Sequence, residues 1–201
     1  TGLVIGNWQL VTGDGNWRLA TDDWQLATGD WQLATDYTRA MAMIDALLPE
    51  YDHEMATTRR LLERVPIDRL PWKPHDKSMS LAELATHLSN IPYWCTATLQ
   101  DTSLNLATLE RPAPAASTTE LLQGFDKRVS AARQRLAAST DPELLAPWTL
   151  KNGDQEFFTM PRISVLRTFV LNHLIHHRGQ LSVYLRLNDV AVPPIYGPTA
   201  D

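Results

Sequence analysis

Three of the six histidines have the residue type and spacing expected of metal ligands. His173 and His177 are four residues apart, so in a helix they lie about 40° apart on one face. His87 lies in another segment, on the same stripe as the apolar residues Leu84 and Ile91. A buried imidazole without a partner costs about 1–3 kcal/mol, and a divalent metal can accept one nitrogen from each ring. The pattern therefore predicts a three-histidine metal site, the alternative being core histidines hydrogen-bonded to carbonyl groups.

Two further side chains are candidates for accessory roles. His53 lies beside Asp52 and Glu54, where it is a candidate to orient a metal ligand or to shuttle a proton. Tyr184 continues the stripe of His177 and is a candidate hydrogen-bond donor to a bound substrate. The role of His53 requires that its helix packs beside the ligands, and the alternative for Tyr184 is a core aromatic residue. The catalytic residues themselves stay unassigned.

Several neighbouring residues are given structural roles. Arg178 and Gln180 lie on other faces of the same helix, and we expect them to contact the C-terminal tail or a dimer partner. His176 lies about 100° away from the ligand stripe. Cys95 is predicted to be a small buried residue rather than a nucleophile.

Hydrophobic spacing and capping signals predict the elements that position these residues. The sequence patterns Ser80-Leu-Ala-Glu83 and Ser117-Thr-Thr-Glu120 are capping boxes that begin helices. A short helical turn is predicted at 141–143 with Asp141 as its N-cap, and a hairpin at 147–159. The expected fold class is all-α, a four-helix bundle with this short hairpin before the last helix. Its long helices are predicted at 44–64, from 80 through 95, at 117–138 and at 161–187.

Composition excludes several classes of protein. Lysine and arginine number 18 against 23 aspartate and glutamate residues, a net charge of −5 that gives no footprint for nucleic acid. No run of apolar residues is long enough to cross a membrane, and the single cysteine excludes a disulfide framework. No export signal is visible, so we expect a cytoplasmic protein without nucleic-acid or membrane partners.

Residues 1–40 differ from residues 41–201 and are expected to be a separate extension. They contain a repeat close to Thr-Gly-Asp-Trp-Gln-Leu-Ala, with tryptophans at positions 8, 17, 24 and 31. A repeated seven-nucleotide unit would encode this pattern over three copies, which favours translated tandem repeat upstream of a start at Met41 or Met43. The alternatives are an edge hairpin with a structural role, for which Thr-Gly-Asp is suitable turn chemistry, and a binding repeat.

The second segment resembles the DinB family over about residues 43–201. Three sequence blocks carry the resemblance, and they occur in the expected order along the chain. The blocks are WKPHDKSMSLAELATHL at 72–88, NHLIHHRGQLSVYLR at 172–186 and VPPIYGP at 192–198. The tail at 192–198 cannot be helical and must therefore lie across the helices.

This resemblance implies an up-down-down-up bundle with one divalent metal ion on His87, His173 and His177. Family relatives with known activity include S-transferases that use thiols such as bacillithiol or mycothiol, and a maleylpyruvate isomerase. We therefore expect a metal-dependent transferase or hydrolase that activates a thiol or water for a small-molecule substrate, and that forms a homodimer. The expected metal is Zn or Ni, with Fe or Mn as alternatives. The alternative function is a non-catalytic metal-binding or small-ligand-binding bundle.

Overall fold

The computed structural model describes residues 10–13, 16–19, 42–110 and 112–201, and the chain divides into two compact units, 1–41 and 42–201. In the first unit, strands β1 (Leu10–Gly13) and β2 (Asn16–Leu19) pair antiparallel, with Gly13 opposite Asn16. A structural role for this hairpin stays a prediction. Most of the predicted extension lies outside the described residues, so translated tandem repeat and binding repeat stay predictions for it.

The second unit is mostly helical, and its long helices begin and end close to the predicted residues. Its helices are α1 (Met43–Leu62), α2 (Leu81–Gln100), α3 (Thr118–Ala137), the short α4 (Asp141–Leu145), α5 (Arg162–Val165) and α6 (His173–Leu187). A π-helical stretch, Leu166–Asn172, joins α5 to α6, so that 162–187 forms one continuous last helical segment. A 3-10 turn at Ile67–Arg69 follows α1.

Side-chain caps explain where α2 and α3 begin. At α2, the Ser80 hydroxyl accepts from the backbone N–H of Glu83 at 3.2 Å, and the Glu83 carboxylate accepts from the N–H of Ser80 at 2.7 Å. At α3, Ser117 accepts from the N–H of Glu120 at 3.1 Å, but the Glu120 carboxylate accepts from Ala116 instead. The capping box is thus complete at α2, and at α3 only its serine half is present.

The N-cap of α4 is Thr140, and the prediction that Asp141 caps it is wrong. The Asp141 carboxylate accepts from the backbone N–H of Met43 at 2.9 Å, which ties α4 to the first turn of α1. The Thr140 backbone N–H donates to the Glu143 carboxylate at 2.9 Å, completing a capping box one residue earlier than expected. The carboxylate that was predicted to cap α4 is therefore hydrogen-bonded to a residue 98 positions away in sequence.

A small sheet interrupts the helices, so the expectation of an all-α fold needs correction. Strands β4 (Pro147–Asn152) and β5 (Gln155–Pro161) form the predicted hairpin, with Gly153 at a φ of 61° in its turn. Strand β3 (Ser103–Asn105) adds to β4 in parallel and was not predicted. The unit is thus a mostly helical fold with a three-stranded sheet.

The packing of α2 against α6 is what positions the three histidines. Helix α2 packs against both α3 and α6, and α1 packs against the same two helices. One apolar core runs between them, and it includes the fully buried Leu84, Leu88, Leu174 and Leu181, which lie beside the histidines in sequence. None of the described helices combines the length and the apolar character that crossing a membrane requires.

Candidate metal centre

The ring nitrogens of His87, His173 and His177 converge on one point between α2 and α6. Nε2 of His173 lies 3.1 Å from Nε2 of His87 and 2.7 Å from Nε2 of His177. One ligand atom from each of the three rings lies within 4.8 Å of the other two. The helical-face argument from the sequence therefore selected three side chains that the fold brings together.

Protons cannot satisfy all three nitrogens in this arrangement. Nδ1 of His177 lies 2.7 Å from Oε1 of Gln180, an acceptor, so Nδ1 carries the hydrogen and Nε2 of His177 keeps its lone pair. If Nε2 of His173 carries a hydrogen and donates it to that lone pair, Nε2 of His173 has no lone pair with which to accept a hydrogen bond from His87. One of the two short contacts is then unsatisfied, and a cation at the centre would accept all three lone pairs.

The donor set fits a divalent metal ion. Nitrogens about 2.0–2.1 Å from a tetrahedral Zn²⁺ lie about 3.3 Å apart, which is close to the two short separations in the cluster. Three neutral imidazoles suit Zn, Ni and Fe in preference to the oxygen-seeking Mg or Ca. The cluster can therefore hold a metal ion, and the chemistry of its donors agrees with the expected transition metals.

Burial keeps these imidazoles neutral. Desolvation, followed by the neighbouring histidines, lowers the pKa of His87 and of His173 to about 4. Desolvation also lowers the pKa of His177, while the hydrogen bond to Gln180 opposes this shift. Near neutral pH the three rings therefore offer lone pairs, which is the protonation state that a metal requires.

Gln180 is a site residue that the sequence interpretation missed. We expected it to contact the tail or a dimer partner, but its amide oxygen accepts from Nδ1 of His177 at 2.7 Å. The signal was present in the sequence, because residues three apart on a helix are neighbours. His176, by contrast, is exposed and presents its ring edge-on to His177 at 4.9 Å between ring centroids.

The two accessory candidates have other described contacts. His53 is exposed and stacks on Tyr196 of the C-terminal tail, with 6.4 Å between ring centroids. The Tyr184 hydroxyl donates to the carbonyl of Met79 at 3.1 Å, and its ring meets Trp72 edge-on at 5.3 Å. A proton-shuttle role for His53 and a substrate contact for Tyr184 both stay predictions.

A buried ion pair anchors the helix that carries His173 and His177. Arg178 is 1% exposed, and its guanidinium lies 2.6 Å from the carboxylate of Glu54 on α1. The same guanidinium donates to the backbone carbonyl of Glu54 at 3.1 Å and to the Thr58 hydroxyl at 3.3 Å. The Tyr196 hydroxyl lies 2.9 Å from both Glu54 oxygens and also contacts Arg178. Arg178 thus contacts the tail, as predicted, and fixes α6 against α1.

A groove among the described residues lies elsewhere in the unit. Its volume is about 620 Å³, and it runs between α2 and α3, where Thr86, Tyr93 and Arg128 line it. None of the three clustered histidines lines this groove. The histidines instead occupy the line along which α2 packs against the last helical segment, which we call the seam. His87 and His173 are partly exposed there, so the cluster is in contact with solvent.

Comparisons with known proteins agree with this fold. The sequence model of the DinB family matches residues 40–201. An uncharacterized protein, YrdA, of Bacillus subtilis is 25% identical over 158 residues, which is 79% of this chain and 90% of YrdA.

Two solved structures are similar to the second unit. A DinB-like protein of Bacillus cereus matches with a TM-score of 0.60 at 24% identity, covering 77% of this chain and 98% of its own. YjoA, a DinB-like protein of Bacillus subtilis, matches with a TM-score of 0.60 at 18% identity, covering 75% and 96%. At these identities the structures show the fold alone.

Proposed function

This chain belongs to the DinB family, and from that premise we propose that it is an enzyme whose His87, His173 and His177 hold one divalent cation. The observation that carries the proposal is the convergence of three neutral imidazole nitrogens whose close contacts protons cannot satisfy. When bound, such a cation lowers the pKa of a thiol or water beside it and so supplies a nucleophile near neutral pH. We propose zinc or nickel as the metal.

The residues of this chain do the positioning. Gln180 orients the His177 ring so that Nε2 faces the cluster, and the buried pair of Arg178 with Glu54 fixes the rotation of α6 against α1. Leu84, Leu88 and Leu174 close the inner side of the seam, which leaves access from the solvent side only. The cluster is thus rigid on the protein side and open on the other, as a catalytic rather than a purely structural metal site requires.

We propose that the reaction is transfer of a low-molecular-weight thiol to a small electrophile. In the net reaction the thiol sulfur forms a bond to an electrophilic carbon, and the thiol proton and the leaving group with its electron pair are released. The resemblance to the DinB family, whose relatives with known activity include thiol-dependent S-transferases, supports this choice over hydrolysis by water. The same resemblance supports a four-helix bundle topology and a homodimer, and the single cysteine supports a cytoplasmic location; we propose these as well.

A single variant pair tests the metal site. His173→Ala removes the nitrogen that lies nearest both partners, and His176→Ala is the matched control on an exposed neighbouring ring. Protein purified without chelators or affinity nickel is analysed for bound metal, thermal stability and turnover of cysteine with iodoacetamide. We expect His173→Ala to lose metal and turnover and to stay folded, and His176→Ala to keep all three properties.

Three outcomes would overturn the proposal. They are a wild-type protein that takes up neither zinc nor nickel, a His173→Ala protein that retains metal, and equal turnover in both variants. Unfolding of His173→Ala together with metal loss would assign the metal a structural role instead.

A further inference from the structure

Aromatic side chains extend the seam beyond the histidines. Trp94 follows His87 by seven residues on α2, which places it on the same helical face about 10 Å further along the axis. Phe169 precedes His173 by four residues in the last helical segment. Helix α2 and the last helical segment run in opposite directions, and they are in contact both at the histidines and at these aromatic rings. Trp94 and Phe169 therefore lie on the same side of the metal cluster.

These two rings join a third in a nearly parallel stack. The Phe169 ring stacks with each of the other two, with 4.8 Å to the centroid of Phe158 on β5 and 6.5 Å to that of Trp94. The angles between ring planes are 16° and 17°, respectively. We call Trp94, Phe169 and Phe158 the aromatic stack.

The aromatic stack is not closed off as a core would be. All three of its side chains are partly exposed, although they pack against the fully buried Trp148 and Val165. Partly exposed aromatic rings that lie together have surface available for contact with a planar group, which the fully buried rings of a core lack.

The backbone that carries Phe169 supports the same conclusion. Phe169 lies within the seven-residue π-helical stretch, whose last residue directly precedes His173. Long π-helical stretches are rare, and π-bulges occur frequently at functional sites. Here the stretch carries Phe169 and ends directly before His173, so it sets the spacing of the aromatic stack and the metal cluster along the seam.

We propose that the aromatic stack binds a planar aromatic part of the electrophile, so that the preferred substrates are aromatic rather than small aliphatic electrophiles. The inference rests on the proposed transfer reaction for its biological meaning. Ring faces attract planar groups by stacking, and the histidines one to two helical turns away would hold the reacting end.

Equilibrium binding to metal-free protein tests the stack without any turnover. The probe is meta-dinitrobenzene, a planar unreactive compound, and the measurement is titration calorimetry. We expect measurable binding by the wild type and a Kd about tenfold higher for Phe169→Leu and for Trp94→Leu. The matched controls Phe157→Leu and Tyr93→Leu replace exposed aromatic neighbours outside the stack and should change the Kd less than twofold. Two separate stack variants guard against a folding defect in either one.

Turnover with two electrophiles separates this inference from the proposed function. With cysteine as the thiol, the stack variants should lose about tenfold in kcat/KM for chlorodinitrobenzene and little for iodoacetamide. The aromatic stack is not a binding site if the wild type does not bind the probe, or if stack and control variants lose binding equally. Either result would overturn the inference even if iodoacetamide is turned over. Binding that follows the stack without any turnover would support the stack and overturn the transfer reaction.

Discussion

Replacement of Gln180 tests whether the hydrogen bond behind the ligand ring matters for metal binding. In Gln180→Leu, Nδ1 of His177 loses the acceptor that lies 2.7 Å away and fixes both its tautomer and its ring orientation. Loss of such a partner typically costs 10–100-fold in metal affinity. Gln180 is exposed, so water can replace part of the lost bond, and we expect the low end of this range.

The expected change is a metal Kd about tenfold higher, or about 1.4 kcal/mol of binding free energy. The assay is competition for zinc with a chromophoric chelator near neutral pH, where the ligand rings are neutral. Gln180→Glu keeps an acceptor at the same position and adds negative charge, so it should bind zinc as tightly as the wild type or more tightly.

The control for this prediction is Gln123→Leu, which makes the same replacement at an exposed position of α3. Its zinc affinity should equal that of the wild type. If Gln180→Leu also binds zinc like the wild type, the hydrogen bond does not orient the ligand, and the tautomer argument for the cluster fails with it.

Two further predictions concern the folded state itself. In metal-free protein, the His87 and His173 pKa of about 4 lies below the unfolded value of about 6.5, so the neutral rings favour folding. This contribution to stability is complete above pH 6.5 and is lost as the pH falls towards 4. The free energy of unfolding measured with urea should therefore decrease from pH 7 to pH 5, and it should decrease less in His173→Ala. Glu54→Gln leaves the Arg178 charge buried without its partner and should cost about 3–5 kcal/mol in the same assay, whereas Asp52→Asn in an exposed pair should cost far less.

Local chemistry explains which parts of the fold could be predicted from the sequence. The start of α2 follows from Ser80 and Glu83, whose mutual hydrogen bonds need no other part of the chain. The turn between β4 and β5 follows from Gly153, which adopts the positive φ that other residues avoid. The pair of His173 and His177 could be predicted for the same reason, since helix geometry alone places both on one face.

Features that depend on distant contacts could not be predicted in this way. Strand β3 has only three residues, too few for their alternation to be recognised in the sequence, and its partner is β4, which lies more than 40 residues later and pairs with it in parallel. Asp141 does not cap α4 for a similar reason, because its carboxylate accepts a hydrogen bond from the distant Met43. The stacking of Phe169 with Trp94 and with Phe158 joins three elements, so the periodicity of any one element does not reveal it.

Removal of the metal should leave the protein folded, because the core is complete without the histidines. Fully buried Leu84 and Leu88 of α2 and Leu174 and Leu181 of α6 pack in one apolar cluster, while His87 and His173 remain partly exposed at its edge. A metal bound at 100 times its Kd stabilises the folded state by about 2.7 kcal/mol through mass action alone. Stripping it should therefore lower the Tm by roughly 5–10 °C and leave the far-ultraviolet circular dichroism unchanged.

Re-addition of zinc to the stripped protein should restore the Tm in proportion to the logarithm of the free metal concentration. His176→Ala, which keeps the three ligands, should show the same dependence, and His173→Ala should show almost none. Loss of helical structure on stripping would mean that the metal holds α2 to α6 and that the apolar contacts between them are insufficient. The metal would then have a structural role, and its presence would no longer support an active site at the seam.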